Sequence, residues 1–341
     1  MHHFYFNFFL IFLFLIFIII LGNLIANKFK LLDYPSSRKQ HAYPVPLIGG
    51  VYFYFTICFA LLLFDFSETL NSIIVYSSVI LFMGLLDDLY DLKVQLRFII
   101  IIFGSYLLID KGLNVTYLGN YIGDYQIYLG SFSFIFTIIC VVGLVNCFNF
   151  LDGSDGMLLS QSIASFLLLI IHSYLSNVGK IDLIFILVFI FIFTIMILFN
   201  LGLFNKNKFF LGDSGSMSIG FIISFILIYY SQKNNIFFHP SLVIWVVALP
   251  LFDFFALVSR RILDNKSPFI ADRRHIHHLL IFVFKKNHYV LIFTFLLSLY
   301  LGLFGFFIIK NTGPFFGLIS FLINLCIYTY VTYKIEKKYF N

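Results

Sequence analysis

Long apolar runs recur along the whole of this 341-residue chain, and they constrain its fold more than any other feature. An α-helix needs about 20 apolar residues to cross the hydrocarbon core of a bilayer, and roughly eleven segments approach that length. They lie near residues 4–26, 47–65, 71–90, 96–110, 126–147, 157–177, 181–200, 211–231, 238–259, 288–309 and 314–333. Only 11% of the residues are charged, which excludes an ordinary soluble globular protein. We therefore predict an all-α fold, a polytopic membrane bundle of about 11 transmembrane helices in which residues 1–341 form a single domain.

The distribution of Lys and Arg predicts how the bundle is oriented. If the N-terminus is outside, only Lys111, Lys180, Lys233 and Lys310 of the 22 basic residues lie on the outer side. Because cytoplasmic loops of membrane proteins carry the excess of basic residues, we expect the C-terminus in the cytoplasm. The first apolar run is too long for a signal-peptide core, so we expect it to remain as the first span. The inner loops lie near residues 27–46, 87–96, 147–157, 200–213 and 260–287, and they hold most of the unusual polar sequence.

Three acids stand at the inner end of the third apolar run. Asp87 and Asp91 are four residues apart and share one face of a helix, with Asp88 beside them. Carboxylates at a helix C-terminus are disfavoured by the helix dipole and by one another, so a cation is expected to offset them. Mg²⁺ commonly uses one or two carboxylates together with substrate phosphate oxygens. A solvated acidic helix end is the alternative interpretation.

A second polar segment, residues 146–157, joins two apolar runs and is rich in amides, acids and glycines. Its glycines permit a ligand to approach the backbone closely. Asp155 suits the N-cap of the next helix, but capping leaves Asn146, Asn149 and Asp152 unexplained. The segment is therefore a candidate binding site.

A third segment, residues 209–217, enters the eighth apolar run through a glycine-bracketed turn around Asp213. An acid at a helix start is an ordinary cap. The same geometry also directs free amides and the positive end of the helix dipole at an anion such as a diphosphate. Both interpretations stay open for this motif alone.

Cations and histidines cluster in two of the inner loops. They are Arg38, Lys39 and His41 in the first loop and Arg261, Arg274, His275, His277 and His278 in the last. No cysteine or spaced partner accompanies the histidines, which disfavours a structural zinc site. A role in topology or in contacts with anionic lipids would explain the basic residues but not the histidines. Neutral imidazoles offer the directional hydrogen bonds that sugar hydroxyls require.

Together these features predict phosphoryl transfer to a lipid: acids for a metal ion, amides and glycines for a diphosphate, and cations for anionic substrates. Acids within a membrane can also mark an ion path. Here they cluster at the inner boundary, which disfavours a transporter or cation channel. The bilayer is an expected partner, no nucleic acid is indicated, and the sequence leaves open whether a homo-oligomer forms.

Five motifs occur in order along the chain. They are Asp33-x-Pro-x-x-Arg38-Lys39-x-His41, Asp87-Asp88-x-x-Asp91, Asn146-x-x-Asn149-x-x-Asp152-Gly-x-Asp155-Gly, Phe-Leu-Gly-Asp213-Ser-Gly-Ser and His275-Ile-His277-His278. From about Asp33 to Leu280 the chain resembles the polyprenyl-phosphate N-acetylhexosamine-1-phosphate transferase family. Residues 248–280 are most similar to the bacterial members that use undecaprenyl phosphate and N-acetylglucosamine (GlcNAc).

This resemblance implies that GlcNAc-1-phosphate passes from UDP-GlcNAc to undecaprenyl phosphate with Mg²⁺ or Mn²⁺ at the cytoplasmic face of a bacterial inner membrane. The products, undecaprenyl-diphospho-GlcNAc and UMP, would start synthesis of a cell-surface polysaccharide such as O-antigen, common antigen or a teichoic-acid-like polymer. The resemblance implies catalytic roles for Asp87, Asp88, Asp152 and Asp155, and a metal site at Asp213 and Asp88. It implies substrate binding by Arg38, Lys39, His41, Asn146, Asn149, Asn200, Arg261, Arg274, His275, His277 and His278. Another UDP-N-acetylhexosamine or UDP-N-acetylmuramoyl-pentapeptide is the alternative donor.

Overall fold

A computed structural model describes residues 2–29, 31–34, 43–176, 181–204, 207–232, 238–265 and 274–340. The helices are α1 His2–Phe29, α2 Gly49–Leu63, α3 Glu68–Tyr90, α4 Val94–Asp110, α5 Ser133–Leu151, α6 Met157–Ser176, α7 Leu183–Asn200, α8 Gly212–Gln232, α9 Pro240–Val246, α10 Ala248–Leu263, α11 Ile276–Phe284, α12 Asn287–Thr312 and α13 Pro314–Phe340. The strands form two small antiparallel pairs, β1 Leu32–Asp33 with β2 Val45–Pro46, and β3 Tyr117–Asn120 with β4 Gln126–Tyr128.

Each predicted apolar segment contains most or all of a helix, so the all-α polytopic membrane fold is confirmed. Among the described residues, eight helices are long and apolar enough to cross a bilayer, and the bent pair of α9 and α10 would be a ninth. Helices α2 and α4 are shorter, with 15 and 17 residues. The count of eleven and the orientation stay predictions.

Two predicted segments differ from the structure in detail. The segment 126–147 begins too early, because its first residues form strand β4 and the helix starts at Ser133. The segment 238–259 is broken between α9 and α10 by a bend of 78°. Pro250 explains where the second helix begins, since a proline is tolerated in the first turn of a helix but not in its interior.

Helix α8 forms the centre of the bundle, and its apolar window is 100% buried. It packs on α2, α3 and α5. Glycines make this close packing possible, because a Cβ at Gly50 would collide with the backbone of Gly215 and one at Gly84 with that of Ser214. Small residues at helix contacts allow membrane helices to approach closely. This packing holds the N-terminus of α8 against the end of α3 that carries the acids.

The polar motifs meet at one end of the bundle. The C-terminal ends of α3, α5, α7 and α10 lie there beside the N-terminal ends of α8 and α11, as the contacts below establish. The β3–β4 hairpin lies at the opposite end of α8, where the Gln232 side chain bonds the backbone of Tyr117. The chain therefore has one end rich in acids, amides and histidines.

Candidate active site

Asp88 ties the acidic end of α3 to the start of α8. Its carboxylate oxygens accept the backbone N–H groups of Asp213 at 2.8 Å and of Ser214 at 3.1 Å. Gly212 makes this approach possible, because its φ is +70° and a Cβ there would meet the Asp88 carboxylate. The negative carboxylate also interacts favourably with the positive, N-terminal end of the α8 dipole. Asp88 thus fixes the position of Asp213 within the site.

Arg97 of α4 joins the carboxylates into one cluster. Its Nε lies 2.7 Å from Asp87 Oδ2, and its Nη1 lies 3.6 Å from Asp213 Oδ2. The Nη2 atom is 3.4 Å from Asp91, whose side chain is fully exposed. The Asp87 side chain has no exposed surface, and its Oδ1 accepts the N–H of Leu92 at 2.7 Å. A buried carboxylate requires such compensation.

Two asparagines of α5 line the same site. Asn149 donates from Nδ2 to Asp213 Oδ1 at 2.7 Å and to Ser216 Oγ at 2.9 Å, so it orients the Asp213 carboxylate. Asn146, one helical turn earlier, donates to the carbonyl of Val142 at 2.7 Å. Both asparagines border a groove, whereas only Asn149 contacts the acids.

This groove joins the acid cluster to an apolar surface between α4, α5 and α8. Its polar wall consists of Arg97, Asn146 and Asn149. Its apolar wall consists of Val94, Phe98, Ile101, Phe150 and Met217. A cation on the wall of a largely apolar groove suits a ligand that combines an anionic group with a hydrocarbon chain.

The turn after α5 brings the second motif to the same place. The pKa of the Asp152 carboxyl is well above its usual value, first because of burial and then because of the negative charges of Asp213 and Asp88, with Asp155 adding to them. Asp155 itself forms an ion pair with Lys208 Nζ at 2.7 Å. The site therefore favours the protonated form of Asp152 more than an exposed site would, and it holds a paired carboxylate at Asp155.

Asn200, which was predicted to bind substrate, is surrounded by backbone hydrogen-bond partners. Its Oδ1 accepts the N–H of Gly156, and its Nδ2 donates to the carbonyl of Phe209 at 2.9 Å. Only 3% of the residue is exposed. In this arrangement Asn200 holds the 152–156 turn against the segment that leads into α8, and a contact with substrate stays a prediction.

The histidine motif lies against the second motif. The fully buried ring of His277 faces Gly153, where a Cβ would lie 2.5 Å from Nε2. Neither ring nitrogen of His277 has a partner among the described residues. Burial, and then the neighbouring His278 and His275, hold its pKa well below the usual value, so the imidazole is neutral. Because the ring is enclosed, contact with a sugar would require the substrate to reach it through the 152–156 turn.

The other predicted residues of this region form a buried polar network. His275 Nδ1 lies 3.1 Å from Asp253 Oδ2, and the N–H of Ile276 donates to Asp253 Oδ1 at 2.9 Å. Arg274 pairs with Asp264 at 2.5 Å. Arg261, which is 1% exposed, lies over the Phe150 ring at 5.5 Å. The structure thus brings the last motif onto the second one.

Not every predicted site residue can be placed. Arg38, Lys39 and His41 lie outside the described residues. Conversely, sequence reasoning missed Arg97 and Lys208 as members of the site. The available signal was weak, because each is one cation among several in an inner loop or helix start, and only the fold shows which of them faces an acid.

The acid cluster suits a hard divalent cation. The described residues contain no group of three or more His, Cys, Asp or Glu side chains that could hold a metal ion alone. Asp87 Oδ2, however, is buried and pairs only with the Arg97 guanidinium among them, and Asp213 Oδ2 faces the same guanidinium. One or two carboxylates completed by phosphate oxygens and water are the usual environment of Mg²⁺. Asp88 instead directs both oxygens at backbone N–H groups, so its role as a ligand stays a prediction.

The chain is similar to a family of known proteins. Residues 70–231 match the family model of glycosyl transferase family 4. A protein of Yersinia pestis is 35% identical over 278 residues, covering 80% of this chain and 75% of its own, and one of Escherichia coli K12 is 34% identical over 275 residues, covering 80% and 74%. A Haemophilus influenzae protein is 32% identical over 262 residues, covering 75% and 73%. All three are named undecaprenyl-phosphate alpha-N-acetylglucosaminyl 1-phosphate transferase.

Proposed function

Because the chain belongs to glycosyl transferase family 4, we propose that it transfers GlcNAc-1-phosphate from UDP-GlcNAc to undecaprenyl phosphate. An oxygen of the lipid phosphate forms a bond to the phosphorus that carries the sugar, and the bond from that phosphorus to UMP breaks. The observation that carries the proposal is the cluster of Asp87, Asp213 and Arg97 at the end of an apolar groove. The relatives' printed names support the choice of substrates.

The groove between α4, α5 and α8 receives the acceptor in this proposal. Its apolar wall would contact the first isoprene units, and Arg97 would bind the phosphate. A guanidinium suits this task because its planar array of donors matches phosphate oxygens. Asp87 and Asp213 compete with the phosphate for Arg97, so they keep the cation in place before the lipid binds.

A divalent cation, Mg²⁺ or Mn²⁺, is part of the proposal. Asp213, oriented by Asn149, and Asp87 would hold it. When bound, the ion would neutralise charge on the phosphoryl oxygens during transfer. Asp88 contributes by fixing the backbone of α8 on which Asp213 stands.

In this proposal the donor, UDP-GlcNAc, binds beside the second motif and the His275–His278 motif. Lys208, which pairs with Asp155, supplies positive charge for the diphosphate. The raised pKa of Asp152 favours its protonated form, which can donate a hydrogen bond to a phosphate oxygen as an ionised carboxylate could not. The His275–His278 segment lies beside them and supplies hydrogen bonds for the sugar.

A purified-protein assay with a panel of UDP-sugars tests this function. We expect radiolabelled UDP-GlcNAc to give a lipid product with undecaprenyl phosphate, and UDP-glucose to give far less, because a polar site rejects ligands that leave its groups unpaired. Asp213→Asn is the matched inactive control. Product formation only with UDP-N-acetylmuramoyl-pentapeptide or another amino sugar would replace GlcNAc in the proposal.

We place the active site at the cytoplasmic face of a bacterial inner membrane. The support is the distribution of basic residues along the sequence, since the inner loops that carry the motifs hold most of the Lys and Arg. Reporter fusions after Asn207 and Asn265 are expected to read cytoplasmic. A periplasmic reading at either position would contradict the placement.

A further inference from the structure

The C-terminal helix α13 reaches beyond the membrane-spanning part of the bundle. Its 27 residues span about 40 Å, more than the roughly 30 Å of the hydrocarbon core. Glu336 is the only acid in its sequence and is surrounded by Lys334, Lys337 and Lys338. A single acid among lysines at the end of a helix suggests that its carboxylate pairs with a specific side chain elsewhere in the protein.

Glu336 joins two arginines of different segments. Its Oε2 lies 2.7 Å from Arg260 Nη1, and its Oε1 lies 3.4 Å from Arg274 Nη1. The Arg260 and Glu336 side chains are 4% and 17% exposed, so this pair is largely shielded from water. Arg260 Nη2 also donates to the carbonyl of Arg274 at 3.1 Å. Glu336 thereby fixes the backbone just before the histidine motif.

Tyr328 makes a second contact from the same face of α13. It precedes Glu336 by eight residues, which is close to two helical turns. Its hydroxyl donates to Asp253 Oδ1 at 3.1 Å. Asp253, which is 1% exposed, also holds the His275 ring and the N–H of Ile276. Two polar contacts of α13 thus converge on residues 274–276.

We propose that α13 positions the His275–His278 segment for the donor sugar, with Glu336 and Tyr328 as positioning residues. This inference rests on the proposed function. The physical reason is the close approach of His277 to Gly153, since a small shift of residues 274–276 changes where the His277 ring lies against the 152–156 turn. Loss of either contact allows residues 274–276 to move and misplaces the imidazoles relative to the 152–156 turn.

The first test separates donor from acceptor kinetics in the full-length protein. We expect Glu336→Gln to raise the KM for UDP-GlcNAc about tenfold, the effect of losing one charged hydrogen bond, with the KM for undecaprenyl phosphate unchanged. Glu336→Asp is expected to restore part of the loss. Tyr328→Phe removes only a hydroxyl, so it keeps the packing and shifts the donor KM in the same direction. Lys334→Gln, an exposed change on the same helix, is the control.

Hydrogen exchange of the peptide covering residues 274–284 is the second measurement, and it does not depend on turnover. We expect faster exchange in Glu336→Gln and Tyr328→Phe than in the parent and in Lys334→Gln. Unchanged exchange, or equal changes in the KM of both substrates, would overturn the positioning role. If the parent does not use UDP-GlcNAc, the proposed function fails, while hydrogen exchange still decides whether α13 holds the segment.

Discussion

Replacement of Arg97 by Gln is the perturbation that the site geometry makes most informative. The change removes the cation that lies 2.7 Å from Asp87 and 3.6 Å from Asp213. Leaving one member of a buried ion pair alone costs roughly 3–5 kcal/mol, but the Arg97 side chain is 22% exposed and solvent screening lowers the cost to about 1–2 kcal/mol. We therefore expect a folded protein with a reduced melting temperature.

The catalytic effect of the same change is expected to be larger. In the proposed function Arg97 also binds the lipid phosphate, and losing one charge contact to a reacting group typically lowers turnover by ~10²-fold or more. Arg97→Lys keeps the charge but cannot contact Asp87 and Asp213 together, so an intermediate loss of about tenfold is expected.

The assay is kcat/KM for undecaprenyl phosphate at saturating UDP-GlcNAc and fixed Mg²⁺. Asp91→Asn is the matched control, because Asp91 contacts the same guanidinium but its side chain is fully exposed, and we expect almost no change. Near-parental kcat/KM in Arg97→Gln would refute the reasoning. A loss of kcat/KM in Asp91→Asn as large as the loss in Arg97→Gln would also refute it.

Four further substitutions test the acid cluster, the Asp152 carboxyl and the packing of α3 on α8. Asp213→Asn is expected to lower turnover by ~10²-fold or more without unfolding the protein. Asp88→Asn is expected to lower both turnover and melting temperature, because an amide offers one acceptor oxygen in place of two. Parental turnover with unchanged Mg²⁺ dependence in either variant would contradict the role of that residue. Asp152→Asn is expected to raise the melting temperature at neutral pH, because burial and the nearby carboxylates raise the pKa of Asp152 in the folded protein and so make its ionised form costly there. The gain should vanish as the pH falls toward about 3.9, the pKa of an Asp in the unfolded chain. A gain that does not depend on pH would contradict this. Gly84→Ala is expected to lower turnover and melting temperature, because the added Cβ collides with the start of α8. Gly143→Ala is the control, since the added Cβ has open space around it and the variant should behave as the parent does. Equal effects of the two changes would contradict the packing argument.

Much of the fold could be predicted from the sequence because the apolar runs are long. The acids of α3 and the 146–157 motif could also be predicted as parts of one site, since both stand at the inner ends of apolar runs. The bend between α9 and α10 was not predicted, because an apolar run shows no sign of where packing breaks it. The hairpin strand β4 was likewise hidden within an apolar run.

The pairing of side chains could not be predicted in the same way. Arg97 appeared in the sequence only as an inner basic residue, and its contact with Asp87 depends on how α4 packs against α3. Glu336 lies more than 60 residues from Arg260, and no local pattern indicates their ion pair. Asn200 was predicted to bind substrate, but its two backbone hydrogen bonds, which connect two loops, were not visible in the sequence. Most of the features that the sequence could not predict are therefore contacts between segments that lie far apart in the chain.

The fate of the sugar-bearing phosphate tests the central claim most directly. UDP-GlcNAc labelled in the phosphate next to the sugar should be incubated with the purified protein, undecaprenyl phosphate and Mg²⁺. Transfer of sugar 1-phosphate predicts that the label moves into the lipid fraction while unlabelled UMP is released. Label that remains in the water-soluble fraction as UDP, with sugar alone on the lipid, would contradict the proposed reaction.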